Sequence, residues 1–397
     1  MKILVVTQYF YPENFRINTL CRELVNRGND VTVLTAYPQY PIGKIYDGYG
    51  FDIPYDKDWH GVRIERVKTY PRGNGPLGLL RNCVSFVLSA NRWVKRCTEK
   101  YDAVFVFEVS PVTVGLPAVA YKKKFGTPMF FNLQDLWPEN VHEVLGIRFP
   151  PLTFVINQIV DKIYRNSDRI LCASNGFVQN LRQRGVSEDK LVFWPQFCME
   201  PNLTDVTRPE IYSEDTFNVV FTGNIGDAQG LDIVLEAARE LKGQKIRWYL
   251  VGDGRARERL QTLAQTYDVA DDVVFVGRVT EAEANRYVHY ADCAYLSFKN
   301  NALFNMTLPA KLQTYLACGA PILAAAGGES AEVVKQANCG IAVPPEKDAL
   351  VQAVQDFAKL GKDERVSMAE HAREYFVTHF AMNNLVDELE RMMREAL

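Results

Sequence analysis

The sequence predicts an α/β protein built as two doubly wound, parallel-sheet halves. Its 397 residues exceed what one hydrophobic core usually organises, so two domains are expected. Short apolar, β-branched runs alternate with segments of helical length, the pattern of a parallel sheet with crossover helices. The alternation breaks at a polar stretch over residues 200–215, rich in turn formers and charge, and then restarts.

In the first half, residues 2–10, 31–35, 103–109, 128–132 and 169–173 read as buried strands, with helices over 14–27, 111–124 and 152–165. The second half repeats the pattern, with strands over 217–223, 246–252, 273–277, 294–297 and 321–325. In the tail, Leu385, Val386, Leu389, Met392 and Met393 form one apolar stripe, so 383–397 reads as a helix that docks on something. These readings give a first domain over 1–200, a linker over 201–216, a second domain over 217–380 and a terminal helix over 381–397.

Composition narrows the function. A hydrophobic fraction of 47% and a charged fraction of 23% are ordinary for a folded protein, and a formal charge of -3 offers no basic field for nucleic acid. The 8 cysteines are scattered without a CxxC pair or a zinc-like grouping, and read as reduced core residues. The opening apolar run is too short for a signal peptide, and no later run approaches the ~20 apolar residues of a membrane span, so the cytoplasm is the expected compartment. Asp56-Lys57-Asp58 lies in a Tyr- and Gly-rich loop rather than at a strand end and is not read as a metal site.

Open parallel sheets bind ligands beyond the carboxyl ends of their strands, so two facing halves place a site between them. The informative residues should follow strands. After the first strand of the second half comes a glycine-rich turn, Gly223-Asn224-Ile225-Gly226-Asp227-Ala228-Gln229-Gly230. Such a turn lets the backbone approach a phosphate, or simply needs glycine for tight geometry. The next strands end in Gly252-Asp253-Gly254-Arg255 and Gly277-Arg278-Val279, so a large ligand is expected across that edge, while Arg255 and Arg278 also fit as solvated surface residues. Further on, Met306-Thr307-Leu308-Pro309-Ala310-Lys311 leads into a helix that continues through Thr314. Thr307 is expected to cap this helix and Pro309 to sit in its first turn, leaving the N–H groups of Ala310 and Lys311 aimed at a ligand. A lysine is disfavoured at that end of the helix dipole, which favours a functional Lys311 over a merely solvated one. In the first half, Glu13, Asn14 and Arg16 follow strand one and can bind hydroxyls or phosphate. Gln134 and Asp135 follow the strand over 128–132; Asp135 can hold a hydroxyl or receive a proton, or can cap a turn.

With these segments in order, the sequence resembles the GT4 family of retaining glycosyltransferases with the GT-B fold, over essentially the whole chain. The matching stretches are 2–12, 24–35, 223–238, Val251-Gly252-Asp253-Gly254, 275–279, Tyr290-Ala291-Asp292 and 315–321. The resemblance implies two Rossmann-like domains across a cleft, with the acceptor on the first and a nucleotide diphosphate sugar on the second. It also implies a terminal helix that crosses back to the first domain, and transfer without a metal or other cofactor. Bacterial O-antigen, capsule and exopolysaccharide transferases are the kind of member it suggests. Donor contacts then fall to Gly223, Asn224, Gln229, Gly252, Asp253, Arg255, Arg278, Val279, Met306, Thr307, Leu308, Ala310, Lys311 and Thr314. Asp135, Gln134 and Lys311 take the catalytic positions.

The chain departs from the family at charged positions. An arginine and a lysine that usually hold the donor diphosphate are replaced by Asn224 and Gln229, and the paired glutamates eight positions apart by Met306 and Thr314. A histidine common before Asp135 is Gln134. The expectation is that Lys311, with Arg255 and helix N–H groups, assumes the lost basic role. Met306 can contact the sugar only by packing, which a 6-deoxy or acetamido sugar tolerates better; the expected sugar is a hexose or an N-acetylhexosamine, 6-deoxy or not, such as N-acetyl-L-fucosamine, carried on UDP. The expected acceptor is a polyprenyl-diphosphate-linked glycan. Residues 77–96, with Arg81, Arg92, Lys95 and Arg96 among apolar residues, read either as an interfacial helix on the inner face of the membrane or as a core helix with a solvated basic face; Lys122-Lys123-Lys124 adds to the basic group. Rival readings are a nucleotide-sugar 2-epimerase and a non-catalytic nucleotide-sugar-binding subunit.

Overall fold

The computed structural model describes every residue except 74, 144, 145, 147 and 148. The chain divides into two units: Met1–Ala173, Phe177–Trp194 and Val386–Leu397 form the first, Ser174–Gly176 and Pro195–Leu385 the second.

Eight strands form the sheet of the first unit: β1 (Lys2–Val6), β2 (Asp30–Ala36), β3 (Asp58–Trp59), β4 (Val62–Val67), β5 (Ala103–Glu108), β6 (Met129–Leu133), β7 (Arg169–Cys172) and β8 (Leu191–Phe193). Their order is β3-β4-β2-β1-β5-β6-β7-β8, and every pair is parallel except β3 with β4. Strands β5 and β6 are buried along their whole length, which is why they read as near-continuous apolar runs. β4 escaped the sequence reading because Arg63, Glu65 and Arg66 break its apolar pattern. Both arginines are anchored: Arg63 donates to Thr32 Oγ1 (3.0 Å) and Tyr101 (2.6 Å), and Arg66 to the Ala36 carbonyl (2.7 Å). Helices α1 (Arg16–Asn26), α2 (Pro76–Arg96), α3 (Gly115–Phe125), α4 (Glu139–Glu143), α5 (Pro150–Asn166) and α6 (Asn175–Gln183) supply the crossovers.

The second unit holds six parallel strands, β9 (Phe217–Thr222), β10 (Ile246–Val251), β11 (Val273–Gly277), β12 (Cys293–Ser297), β13 (Ile322–Ala325) and β14 (Gly340–Val343), in the order β11-β10-β9-β12-β13-β14. β14 was not expected; its four residues are too short to show a period. Helices α7 (Asp232–Glu240), α8 (Arg257–Thr266), α9 (Glu281–Tyr290), α10 (Ala302–Met306), α11 (Ala310–Ala317), α12 (Gly328–Gln336), α13 (Lys347–Lys359) and α14 (Lys362–His379) follow. One core joins Leu235, Leu260, Val354 and Phe357 of these helices to Val219, Trp248 and Tyr295 of the sheet.

One expectation about connections changes. The polar stretch 201–216 is not a free linker, because tyrosine hydroxyls tie it to the second unit: Tyr290 donates to the Val206 carbonyl (2.7 Å), Tyr249 to Ile211 (2.9 Å), and buried Tyr212 to Tyr287 (2.8 Å). The terminal helix α15 (Met382–Glu395) buries Val386, Leu389 and Met393. Its residues from Val386 onward belong to the first unit, where Asn29 donates to Glu390 (2.7 Å) and Arg27 pairs with Asp387. All eight cysteines are free thiols and six are buried.

Candidate functional site

In each sheet the strand order reverses once, between β1 and β5 in the first unit and between β9 and β12 in the second. Ligands of open parallel sheets bind outside the carboxyl ends at such reversals.

At the reversal of the first unit, β5 ends on Glu108, a fully buried carboxylate. It accepts the backbone N–H groups of Gln134 (3.1 Å) and Asp135 (3.0 Å) and the indole N–H of Trp137 (3.1 Å). Burial drives its pKa well up, Asp135 adds to this, and the three donors oppose it. Asp135 Oδ2 in turn accepts the backbone N–H (3.1 Å) and hydroxyl (2.6 Å) of Ser110, which follows β5. Glu108 and Ser110 were missed by the sequence reading; the signal was a lone carboxylate closing an apolar strand. Gln134 donates to Asn132 Oδ1 (2.7 Å).

Glu13 is placed differently from the expectation. It is buried, and its carboxylate accepts the backbone N–H groups of Phe10 (3.2 Å), Gln39 (2.8 Å) and Tyr40 (2.7 Å), so it orders the loops after β1 and β2 instead of facing solvent. Burial raises its pKa against the pull of these amides. Asn14 is exposed and Arg16 half-buried beside it.

In the second unit the glycines have a reason that the sequence did not reveal. A Cβ on Gly252 would lie 1.9 Å from the Gly223 carbonyl oxygen, and one on Gly254 would lie 2.3 Å from that of Ile225. The strand-end turns are stitched together, with the Gly223 N–H on Val251, Ile225 on Asp253 and Gly252 on Gly277. Glycine at 252 and 254 therefore serves contact between neighbouring turns. Gly223 differs: with φ at 115°, its side-chain position meets only Lys311, at Nζ (3.7 Å) and Cε (3.8 Å).

A cavity of about 320 Å³ opens across these turns. Of the residues put forward as donor contacts, Gly223, Asn224, Gly252, Asp253, Arg278 and Val279 line it, together with Thr280, Glu281 and Ala284 at the start of α9. Thr280 caps α9 by accepting the Glu283 N–H (3.2 Å). Asp253 turns back to accept the Gly254 N–H (2.9 Å). Two expected ligands lie elsewhere. Gln229 is buried and accepts the Gly226 N–H (3.1 Å), bracing the glycine turn. The Arg255 side chain is 88% exposed and sits 3.7 Å from Asp227, a solvated surface arginine.

On the other side of β9, Thr307 does not cap α11. Its hydroxyl donates to the Leu303 carbonyl (2.9 Å) and closes α10, while Pro309 takes the N-cap position of α11. A proline there offers no capping oxygen, so the first-turn N–H groups receive no side-chain cap. Ala310 is exposed; Met306 and Leu308 are half-buried, and the Met306 carbonyl accepts the Ser174 hydroxyl. The Thr314 hydroxyl donates back to Ala310 (3.3 Å). Lys311 as a residue is half-buried, but its Nζ is sealed from solvent and makes no hydrogen bond to the described residues. Nζ lies 3.7 Å from the centre of the Phe221 ring at the end of β9 and 6.0 Å from that of Phe298 after β12, so it occupies the reversal point itself. Burial pulls its pKa down to about 7.

Two units, each a largely parallel sheet with polar groups at its strand-order reversal, are the architecture of the GT-B fold. Residues 206–375 match the family Glycosyl transferases group 1, and residues 14–196 match Glycosyl transferase 4-like domain. The chain belongs to the GT4 glycosyltransferases. It is 25% identical over 400 residues to WcaI of Escherichia coli K12, named as a colanic acid biosynthesis glycosyl transferase; the match covers 94% of this chain and 95% of that protein. It is 23% identical over 240 residues to the glycosyltransferase WbjE of Pseudomonas aeruginosa, covering 57% of this chain and 59% of that one. Among solved structures, sucrose-phosphate synthase from Thermosynechococcus elongatus superposes with a TM-score of 0.74 at 17% identity, over 99% of this chain and 98% of that one. HepE from Anabaena in complex with UDP gives a TM-score of 0.70 at 14% identity over 100% of both chains.

Proposed function

We propose that this glycosyltransferase moves a hexose or 6-deoxy N-acetylhexosamine, with retention, from a nucleotide diphosphate sugar to a polyprenyl-diphosphate-linked glycan of a bacterial surface polysaccharide. The observation that carries this reading is Lys311 Nζ, an unpaired amine buried beside the open Gly223 turn. The names of WcaI and of the HepE complex with UDP support a polysaccharide product and UDP as the carrier.

The base and ribose would lie in the 320 Å³ cavity, against Gly252, Arg278 and Val279. The diphosphate would rest on Gly223, the uncapped N-terminus of α11 and Lys311, which stabilise the charge of the leaving phosphate. Asp135, fixed through Oδ2 by Ser110, keeps Oδ1 for a sugar or acceptor hydroxyl, with Gln134 and Asn14 as further contacts. Lys311 and the N-terminus of α11 would together offset the diphosphate charge without a divalent cation, so EDTA should leave turnover unchanged.

A peripheral membrane contact fits the outer face of α2. Leu77 (77% exposed), Leu80, Val84 and Leu88 recur at helical spacing and are followed by exposed Arg92, Lys95 and Arg96. Lys122 and Lys124 do not join this face as the sequence reading had it. Lys122 pairs with Asp168 (2.5 Å), and Lys124 donates to the Val94, Lys95 and Cys97 carbonyls, closing the end of α2. Among the described residues no helix is long and apolar enough to cross a membrane.

The test is a panel of nucleotide sugars incubated with and without lipid-linked acceptors, with the anomeric configuration of the product read by NMR. Lipid-linked product is expected only when acceptor is present, and Lys311→Ala should lower kcat/KM about 10- to 100-fold, the worth of a charge-assisted contact. A free sugar-nucleotide isomer from donor alone would overturn the transferase reading.

A further inference from the structure

We propose that the donor diphosphate enters this site together with one proton, which Lys311 takes up as the complex forms. The inference rests on the reading that the second unit binds a nucleotide diphosphate sugar.

Geometry carries it. Nζ is sealed from solvent without a hydrogen-bond partner among the described residues, and its walls are the faces of Phe221 and Phe298. Gly223 presents no side chain towards the amine: its Cβ position lies 3.7 Å from Nζ and, its chain neighbours aside, meets no residue but Lys311 within 4 Å. A small shift of the Lys311 side chain on this open side would bring the amine onto a phosphate oxygen resting on the turn. Until then an ammonium there has only ring faces to replace its water, a partial compensation.

The neighbours supply no fixed charge that shifts it. β9 presents Phe221 and Thr222, whose N–H donates to the Tyr315 hydroxyl (3.0 Å). β12 and its extension bring Tyr295, Phe298 and Lys299, the last packed on Gly230. On the glycine turn, Asp227 faces Arg255. From α9, His289 bonds to the Cys318 carbonyl, and from α14, Arg373 bonds to the Ala317 carbonyl, both at the far end of α11. Burial is the whole cause of the lowered pKa of about 7, so the empty site holds a mixture of amine and ammonium near neutrality. A diphosphate diester is dianionic and does not titrate there. Its arrival converts –NH2 plus one solvent proton into –NH3⁺ paired with a phosphate oxygen, and departure of the nucleotide releases that proton.

The experiment is isothermal titration of UDP-glucose, GDP-mannose and dTDP-glucose into the full chain, in Tris and in HEPES, whose ionisation heats differ. Nucleotide sugars are used because a free terminal phosphate titrates at about pH 6 and would mask the signal. For a sugar nucleotide that binds, uptake of about 0.9 proton is expected at about pH 8 and little at about pH 6, with affinity falling about tenfold per pH unit above neutrality. Lys311→Met, checked for an intact thermal transition, should bind more weakly with no proton uptake. Binding at about pH 8 with identical heats in both buffers would overturn the inference and leave the nucleotide-sugar reading standing. Absence of binding by all three sugars would remove both.

Discussion

Lys311 Nζ lies 3.7 Å from the centre of the Phe221 ring, and no group of the described residues hydrogen-bonds to it. A cation placed in this way works against folding until a ligand anion reaches it. The buried lysine therefore carries a cost in stability, which an anion bound beside it would relieve.

That cost has a definite pH signature. The folded pKa of Lys311 is lowered to about 7 from 10.5, so between these values the unfolded chain holds a proton that the folded chain has lost. Stability then rises with pH across this window, by at most about 1.4 kcal/mol per unit, and is flat below it. Denaturant melts of wild type and Lys311→Met from about pH 6.5 to 9.5 should diverge in slope by about one proton. Parallel curves would show that the amine stays charged in the folded protein.

Glu108 and Asp135 should separate in their effects. Glu108→Gln keeps one accepting oxygen, so its NH2 group must face either the two backbone N–H groups on one side or the Trp137 indole N–H on the other. It should cost about 1–3 kcal/mol and lower Tm by several degrees. Asp135→Asn can still accept from Ser110 through its oxygen, so Tm should hold while kcat/KM falls about 10- to 100-fold. Equal losses of Tm in both variants would assign Asp135 a purely structural role.

The Gly252 contact predicts a sharp steric penalty. Gly252→Ala sets a methyl 1.9 Å from the Gly223 carbonyl oxygen, whereas Gly243, also at positive φ, has open space around it. Gly243→Ala should cost about 1 kcal/mol and Gly252→Ala on the order of 2–4 kcal/mol. Comparable melting temperatures for the two variants would refute the close approach of the turns.

On α2, Leu80→Glu with Leu88→Glu changes two exposed side chains. Tm should move little, but co-sedimentation with anionic vesicles should weaken at least about tenfold, since each leucine is worth about 1.5–3 kcal/mol on burial. Unchanged pelleting would exclude this face as the contact.

Much of the architecture was legible because periodicity survives in sequence. The largely buried strands β1, β5, β9 and β10 stand out as apolar runs between helical segments, and the restart after the polar stretch marks a second sheet. β4 and β14 were not legible. β4 carries charges whose partners come from β2 and distant loops, and β14 is too short to have a period. Residues 201–216 looked like a linker because their anchors, Tyr249, Tyr287 and Tyr290, lie far along the chain.

The sequence by itself determined the α/β class, the two parallel sheets, the GT4 resemblance and most residues of the cavity beyond β9 and β10. These follow from local pattern and from the rule that ligand groups follow strands. It also singled out Lys311, because a lysine in a first helical turn opposes the helix dipole. Only the tertiary structure decided what each polar group does. Glu13 and Gln229 brace loops, Arg255 faces solvent, Glu108 and Ser110 hold the Asp135 turn, and Lys311 has its charge buried between aromatic rings. Burial and hydrogen-bond partners are set by residues tens to hundreds of positions away, so the residue types name the candidates and the packing assigns their work.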